Sequence, residues 1–492
     1  MGSNLTGSDL RRPSLAAEDT YDLIVIGGGV YGAALLLESS LHGLRGLLVE
    51  RDDFGGATSW NSLRTIHGGL RYLQSADLHR FRESVEERSW FLRTFPDLVE
   101  PLKCLMPLYG NGLRRPGIFR IAFAINDFLS RRRNDELRED RTLPASKVIA
   151  TANTIELFPS VRRHGLRGGA AWHDAVMLQP QRIVVEMLRH ASSLGSSCAN
   201  YAAAKRLLIS KDKKVEGVVV EDRSTGADAE FRAPIVVNCA GPWSRQLAAQ
   251  FDTPEHDKLF IPTLAFNLLL DRPPLSEAAL AVAPPHPGAR TYFLHSWRGR
   301  NLFAGTFHAP WNGSVDTSKP PAELLEEFLG DLNAAVPGLE LTEKDIVRVF
   351  SGLLPGQTPG NDALAVRELI HEHSNDSGLH GLVSVSGVKF TTARRVAQKT
   401  LETVRPDVVG CRRPLPDREI RVAPTTEGFL ALAQREPEVA RELLVRIVEE
   451  EAVVQLDDLL LRRTDWGIDA RQYNDVAATV SGLLSERFPT TA

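Results

Sequence analysis

A glycine cluster and one carboxylate carry the first chemical signal in the chain. Tyr21 to Ile26 is a short apolar, β-branched run, and Gly27, Gly28, Gly29 and Gly32 follow at once, leading into the helical stretch Ala33 to Ser40. A strand that feeds a glycine turn and then a helix aims backbone amides at whatever anion sits before the helix. In that arrangement Gly27 permits the tight turn, Gly29 lets a pyrophosphate approach the backbone, and Gly32 lets the helix pack on the strand. The next apolar run, Gly46 to Val49, ends on Glu50, where a carboxylate accepts hydrogen bonds from ribose hydroxyls. The unit predicts a bound dinucleotide. Because it stands near the start of the chain and no second GxGxxG follows, FAD is expected rather than NAD.

Other residues could act on such a cofactor. Gly387, Lys389, Phe390 and Thr391 lie in a second glycine turn that opens a helix. A cation and a helix N-terminus together stabilise negative charge developing on an electron-accepting ring; the plainer reading is a surface lysine at a helix start. His67 lies between an apolar run and two glycines, where an imidazole can orient a cofactor, accept a proton or simply satisfy backbone groups. Arg71 follows, and a guanidinium can clamp phosphate or carboxylate through two parallel hydrogen bonds. Cys104, Cys198, Cys239 and Cys411 fit no metal-ligand spacing, so no metal is expected and the thiols read as reduced and mostly buried.

The elements that must position these groups follow from composition and pattern. With 492 residues and 43% hydrophobic content, the chain suits about three domains at roughly 150 residues each. Lys and Arg number 58 against 62 Asp and Glu, which gives no counterion-release argument for nucleic acid. No apolar run reaches bilayer length, and Met1 to Thr20 is polar rather than signal-like. Residues 1–19 read as a disordered leader and the chain as cytoplasmic. Residues 75–166 look helical and basic. Within them Leu113 to Arg133 has an apolar centre between arginine clusters, either an ordinary solvent-capped helix or one lying on an anionic membrane surface. Leu207 to Arg232 alternates like a meander, Ile235 to Trp243 is a buried strand ending in a turn at Gly241, and residues 426–484 are mostly helical.

Several blocks resemble one family in one order. Ala57-Thr58-Ser59 and the run Arg64 to Leu73 resemble the ATS and KLIHGGLRYL stretches of the FAD-dependent glycerol-3-phosphate dehydrogenases and α-glycerophosphate oxidases. Val237 to Trp243 resembles their VNATGPW, Gly387 to Arg394 their GGKLTTYR, and Asp457 to Thr464 their DILWRRT. The resemblance implies an α/β fold: a glutathione-reductase-like FAD-binding Rossmann domain, an inserted substrate domain on an antiparallel sheet, and a C-terminal helical domain. The FAD-binding part is expected over residues 20–75, 165–245 and 355–405, the substrate part over 76–164 and 246–354, and the helical part over 406–492. It implies FAD held without a covalent link by Gly27, Gly29, Gly32, Glu50, Thr58, Ser59, His67, Gly241, Gly387, Lys389, Phe390 and Thr391. Arg71 and Tyr72 are implied near a substrate anion.

The departures from the family fall on substrate groups. Its YSGVRPL arginine corresponds to Leu354, its KGSH to Leu264-Ala265-Phe266-Asn267, and its GTTD to Gly305-Thr306-Phe307-His308. A pocket of Leu264, Phe266, Asn267, Phe307 and Leu354 is expected to be apolar. His308 joins His67, Arg71 and Lys389 as a candidate catalytic residue. The chain thus reads as a flavoenzyme that moves hydride from a CH–OH (or CH–NH) group to flavin N5, on a substrate bulkier and less anionic than glycerol 3-phosphate. The alternatives are a genuine glycerol-3-phosphate dehydrogenase or oxidase, with phosphate on Arg71, Lys389 and arginines such as Arg298, and a flavin-binding protein without turnover. A quinone or oxygen as electron acceptor, a homodimer and a peripheral contact at the inner membrane face are left open.

Overall fold

The computed structural model describes residue 10 and residues 20–74, 77–110, 115–251, 253, 258–286 and 288–488. Its first layer is a six-stranded sheet. The strands run in the order Leu369–Glu372, Leu382–Ser386, Val236–Asn238, Leu23–Ile26, Gly46–Val49 and Ser197–Ala199, all parallel except the first pair. The run at Leu23–Ile26 is apolar at every position because both of its faces are covered. Leu23 and Val25 join the core beneath the helices Val30–Leu41, Pro180–Ser193 and Ala393–Val404. Ile24 and Ile26 point the other way, into a core closed by the three-stranded meander Ala202–Ile209, Val215–Asp222 and Asp228–Arg232.

The second layer is a nine-stranded, mostly antiparallel sheet. Its order is Ile346–Pro355, Pro262–Leu270, Asn301–Pro310, Tyr292–Trp297, Ala279–Val282, Val99–Leu108, Gly168–Met177 and Thr65–Ile66, with Lys147–Ile149 paired to Gly168–Met177. Helix Ala322–Ala335 covers its outer face through Phe328, Leu329 and Leu332. The helices Thr426–Arg435, Pro437–Glu450 and Tyr473–Leu483 form the C-terminal unit around Trp466. Buried ion pairs tie that unit to the parallel-sheet layer: Arg463 lies 2.6 Å from Asp53, and Arg182 holds Glu451 at 2.5 Å.

Three boundaries differ from the expectation. Gly168–Met177, expected in the FAD-binding part, pairs along its whole length with Val99–Leu108 and belongs to the large sheet. Helix Leu78–Thr94, placed with the substrate part, sends Trp90, Phe91 and Leu92 into the core under the parallel sheet. Leu10, inside the expected leader, is buried and donates its N–H to Glu450 O at 3.0 Å. The rest of the leader, residues 1–9 and 11–19, lies outside the described residues, as do Leu113 and Arg114. The basic stretch forms the helix Pro116–Leu129, started by a proline in its first turn. No described helix is long and apolar enough to cross a membrane.

Candidate active site

A continuous cavity of about 2260 Å³ follows the carboxyl ends of the parallel strands and reaches the large sheet. Single small ligands fill roughly 300–1,000 Å³, so this space suits a dinucleotide together with a substrate. Gly29, Glu50, Thr58, Ser59, His67, Gly241, Gly387, Lys389, Phe390 and Thr391 all line it.

At one end, the helix that begins at Val30 has Gly29 as its N-cap and no side-chain cap. Its first-turn amides and the positive end of its dipole therefore face the cavity; Ser59 Oγ takes the Val30 N–H at 3.0 Å. The motif glycines do different work. Gly27 has φ +112°, and a Cβ at Gly32 would lie 1.9 Å from Gly27 O, so the fold itself demands both. A Cβ at Gly29 would meet only Ser59 Oγ, at 3.2 Å. The fold thus leaves space at Gly29, and a cradle left open at a helix N-terminus fits a pyrophosphate. Glu50 accepts the N–H groups of Gly28 at 2.7 Å and Asp52 at 2.9 Å. This aims its carboxylate across the strand end, and burial raises its pKa. The C-terminal unit adds Gln455, Asp457, Asp458 and Arg462 to the lining. Burial pushes the Cys239 thiol up to about 12, which leaves it protonated and unsuited to a covalent link.

The Lys389 turn is pinned by Tyr31, which precedes the last glycine of the first glycine motif. The Tyr31 hydroxyl accepts the Lys389 N–H at 2.8 Å and donates to Lys389 O at 2.7 Å. A Cβ at Gly387 would fall 1.9 Å from the Tyr31 ring, so glycine is required for this clasp. The Lys389 ammonium donates to the Tyr72 hydroxyl and lies 4.5 Å from that ring's centroid, with Arg80 also over the Tyr72 ring, at 4.8 Å.

His67 is paired with Asp174, a residue the sequence did not flag. Asp174 is 3% exposed. It accepts from His67 Nδ1 at 3.1 Å, Gly68 N at 2.7 Å, Trp172 Nε1 at 3.2 Å and Arg88 Nη1 at 3.2 Å. Burial alone would raise its pKa; the His67 hydrogen bond and charge, the Arg88 guanidinium and the Gly68 amide bring it down to about 2. An ionised Asp174 cannot donate, so Nδ1 of His67 carries the proton and Nε2 is left as the acceptor. Phe293 lies against the ring at 5.1 Å. His308 also lines the cavity, but burial, reinforced by the positive charges of Arg290 and Arg71, lowers it to about 4.

The wall on the large sheet corrects part of the expected pocket. Strand Pro262–Leu270 alternates, so Ala265 and Asn267 line the cavity while Leu264 and Phe266 point into the opposite core. Phe307 goes the same way, with its ring 5.1 Å from Phe266 and 5.4 Å from Phe328. Phe266 and Phe307 are core residues and not pocket residues. Asn267 reaches the cavity wall but spends its amide internally, on Asn61 O and the Thr306 hydroxyl, each at 2.9 Å. Leu354 does line the cavity, as do Met106, Phe119 and Phe293. Arg298 is not among the lining residues; its guanidinium is held by buried Asp465. Arg290, missed from sequence, donates to His308 O at 2.9 Å and pairs with Asp362. Arg71 lines the cavity and forms no hydrogen bond or ion pair among the described residues. No described group of His, Cys, Asp and Glu could hold a metal ion.

Known proteins are similar to this chain in sequence and in fold. The chain is 31% identical over 395 residues to the glycerol-3-phosphate dehydrogenase of Synechocystis sp., covering 78% of this chain and 70% of that one. It spans only 53% of a mitochondrial relative from Caenorhabditis elegans, at 29% identity. The solved structure of the glycerol-3-phosphate dehydrogenase from Bacillus halodurans complexed with FAD shares the fold, with a TM-score of 0.68 at 21% identity over 95% of this chain and 91% of that one. The FAD dependent oxidoreductase model matches residues 22–402, well over half of the sequence, and the chain belongs to that family.

Proposed function

We propose that this FAD-dependent oxidoreductase oxidises a CH–OH group on a substrate bulkier and less anionic than glycerol 3-phosphate. The observation that carries the reading is the charge of the substrate wall. Leu354 faces the cavity where the resembling enzymes have arginine, and Arg290 is already neutralised by Asp362. Among the lining arginines near His308, that leaves Arg71 as the guanidinium without a carboxylate partner. One such cation suits a monoanion or a neutral polar group better than a phosphate dianion, since charge-assisted hydrogen bonds are worth about 1.5–3 kcal/mol each. Met106, Phe119, Phe293 and Leu354 give the same side apolar surface.

Bound FAD supplies the hydride acceptor. The chain's own residues do the rest. His67 Nε2 takes the substrate hydroxyl proton, while Asp174 fixes the tautomer and favours the imidazolium that results. Lys389, held by Tyr31 and Tyr72, keeps a cation on the cavity wall where negative charge builds up as the substrate is oxidised. The first-turn amides of the Val30 helix and the Glu50 carboxylate hold the dinucleotide's pyrophosphate and ribose.

The test is an anaerobic panel read by bleaching of the flavin band. It sets neutral and carboxylate-bearing secondary alcohols of increasing size beside glycerol 3-phosphate. The reading expects higher kcat/KM for the less anionic, larger members. Fastest bleaching by glycerol 3-phosphate would instead assign the chain the activity of its named relatives.

A further inference from the structure

The helical turn Asp458–Arg463 of the C-terminal unit ends on two adjacent arginines with different fates. Arg463 is fully buried and grips both oxygens of Asp53, at 2.6 and 2.8 Å. Arg462 instead lines the cavity, with its guanidinium 4.3 Å from the Trp60 ring centroid. It forms no ion pair among the described residues; its hydrogen bonds are two long ones, to Gly56 O at 3.4 Å and Leu461 O at 3.3 Å. A guanidinium carries five N–H donors, so most of its capacity is unspent. The acids around it are taken. Asp53 also accepts from Asn200 at 2.9 Å. Asp458 accepts the Tyr201 hydroxyl at 2.7 Å and the Val454 and Gln455 amides at 2.8 Å, and Asp457 accepts the Tyr473 hydroxyl.

Position tells what the spare donors face. Gly56, Ala57, Thr58 and Ser59 all line the cavity. Ser59 takes the Val30 N–H at 3.0 Å, and Gly55 donates to Gly28 O at 2.9 Å. The Gly56 carbonyl thus ties Arg462 to the loop that borders the open cradle at Gly29. Charge points the same way. Glu50, Asp52, Asp53, Asp457 and Asp458 make this end of the cavity acidic. Of the other lining guanidinium groups here, Arg51 lies 3.1 Å from Asp52 and Arg223 pairs with the same carboxylate. A dinucleotide adds a diphosphate to that field, and a helix N-terminus offers only about +0.5 elementary charge against it. Arg462 is the lining cation at this end that no carboxylate has claimed among the described residues.

We propose that Arg462 donates to the diphosphate of bound FAD, completing with the first-turn amides of the Val30 helix a site to which both ends of the chain contribute. Arg463 on Asp53 and Asp458 on Tyr201 hold the arginine-bearing turn against the parallel-sheet layer. Docking of the C-terminal unit and retention of the flavin are therefore linked. The assignment does not depend on which substrate the enzyme takes.

The test follows release of FAD from the full-length, flavin-loaded protein on dilution, read by the return of free-flavin fluorescence. Arg462→Met should raise the FAD dissociation constant by about 10–10², as expected for one lost charge-assisted hydrogen bond. Arg462→Lys should recover most of that loss, because an ammonium still meets a phosphate as a point charge. Melting of both variants close to the parent, with FAD in excess, certifies that they are folded. A second readout needs no variant: modification of the parent by phenylglyoxal, located by mass spectrometry. Arg462 should be shielded in the flavin-loaded protein and react once the flavin is released. Excess ADP should then shield it again, and adenosine should not. An unchanged dissociation constant in Arg462→Met overturns the proposal, as does a failure of ADP to shield. A lysine variant as weak as the methionine one would assign Arg462 to packing on Trp60, and equal shielding by adenosine would assign it to the nucleoside; either result also overturns it.

Discussion

The cofactor end of the cavity and its substrate wall are built on different rules. At the cofactor end each functional group sits in a turn directly after a parallel strand: Gly29 after Leu23–Ile26, Glu50 after Gly46–Val49, and Lys389 after Leu382–Ser386. Its position follows from a few neighbouring residues. On the substrate wall the groups sit inside long antiparallel strands, where one step along the chain moves a side chain from cavity to core. Ala265 and Asn267 face the cavity and Phe266 between them does not. A turn fixes a group through its immediate neighbours, whereas a sheet face can carry Leu354 or a side chain of another type without disturbing the pairing that holds the strand.

The largest expected effect separates the two kinds of glycine at the cofactor end. Gly29→Val should fold, because a Cβ there touches only Ser59 Oγ at 3.2 Å, yet bind no flavin. Gly32→Val should fail to fold, since its Cβ would lie 1.9 Å from Gly27 O. Circular dichroism and the visible flavin spectrum read the two outcomes. A folded, fully yellow Gly29→Val protein would show that no pyrophosphate approaches this turn.

His67→Ala should slow flavin reduction by about 10²–10⁴ and remove the acidic limb of the pH–rate profile. Asp174→Asn should also slow flavin reduction, because the amide no longer holds His67 in the tautomer that leaves Nε2 free to accept the proton. His308→Ala should leave that limb where it is, as His308 itself titrates at about 4. An acidic limb that survives in His67→Ala would shift the base to the substrate wall and erase the contrast between the regions.

Lys389→Met should retain flavin and slow its anaerobic reduction by about 10²–10³, by analogy with removed oxyanion donors. Unchanged reduction in stopped flow would make Lys389 a structural partner of Tyr72 and no more.

The smallest effect is on acid stability. Asp174 lies below its unfolded value, so the stability it lends is present above about pH 3.9 and is lost as pH falls toward 2. His308 lies near 4 when folded and about 6.5 when unfolded. The unfolded chain therefore takes up protons first, and stability falls as pH drops through that window, by at most about 1.4 kcal/mol per pH unit. Chemical denaturation of His308→Gln against the parent from pH 4 to 7 should show a shallower slope; an equal slope would contradict the buried, neutral imidazole.

Legibility in the sequence followed the same division. The βαβ unit, the glycine turns, the meander and the helical C-terminal unit stood out because each is written in residues close together. Phe266 and Phe307 were misplaced because a motif match fixes a residue's position along a strand and not the face it presents. Asp174 was invisible because it meets His67 only through the pairing of Ile66 with Ala175, across more than a hundred residues of chain. Tyr31 sat in plain view in the glycine motif, but its partner Lys389 lies 358 residues further along the chain. Asp457 and Asp458 fall in the block that resembles DILWRRT, but nothing near them along the chain says that they line a cavity built by distant turns.

On the proposed reading, Leu354 stands on the cavity wall where the resembling enzymes carry an arginine, and restoring that cation should restore phosphate binding. The most direct measurement mixes glycerol 3-phosphate anaerobically with the parent enzyme and with Leu354→Arg, following the flavin band at several substrate concentrations. Slow bleaching is expected from the parent, and a gain of about 10–10² in kcat/KM from the variant, as for one restored charge-assisted hydrogen bond. Rapid bleaching of the parent at sub-millimolar glycerol 3-phosphate, with no gain from the arginine, would contradict it.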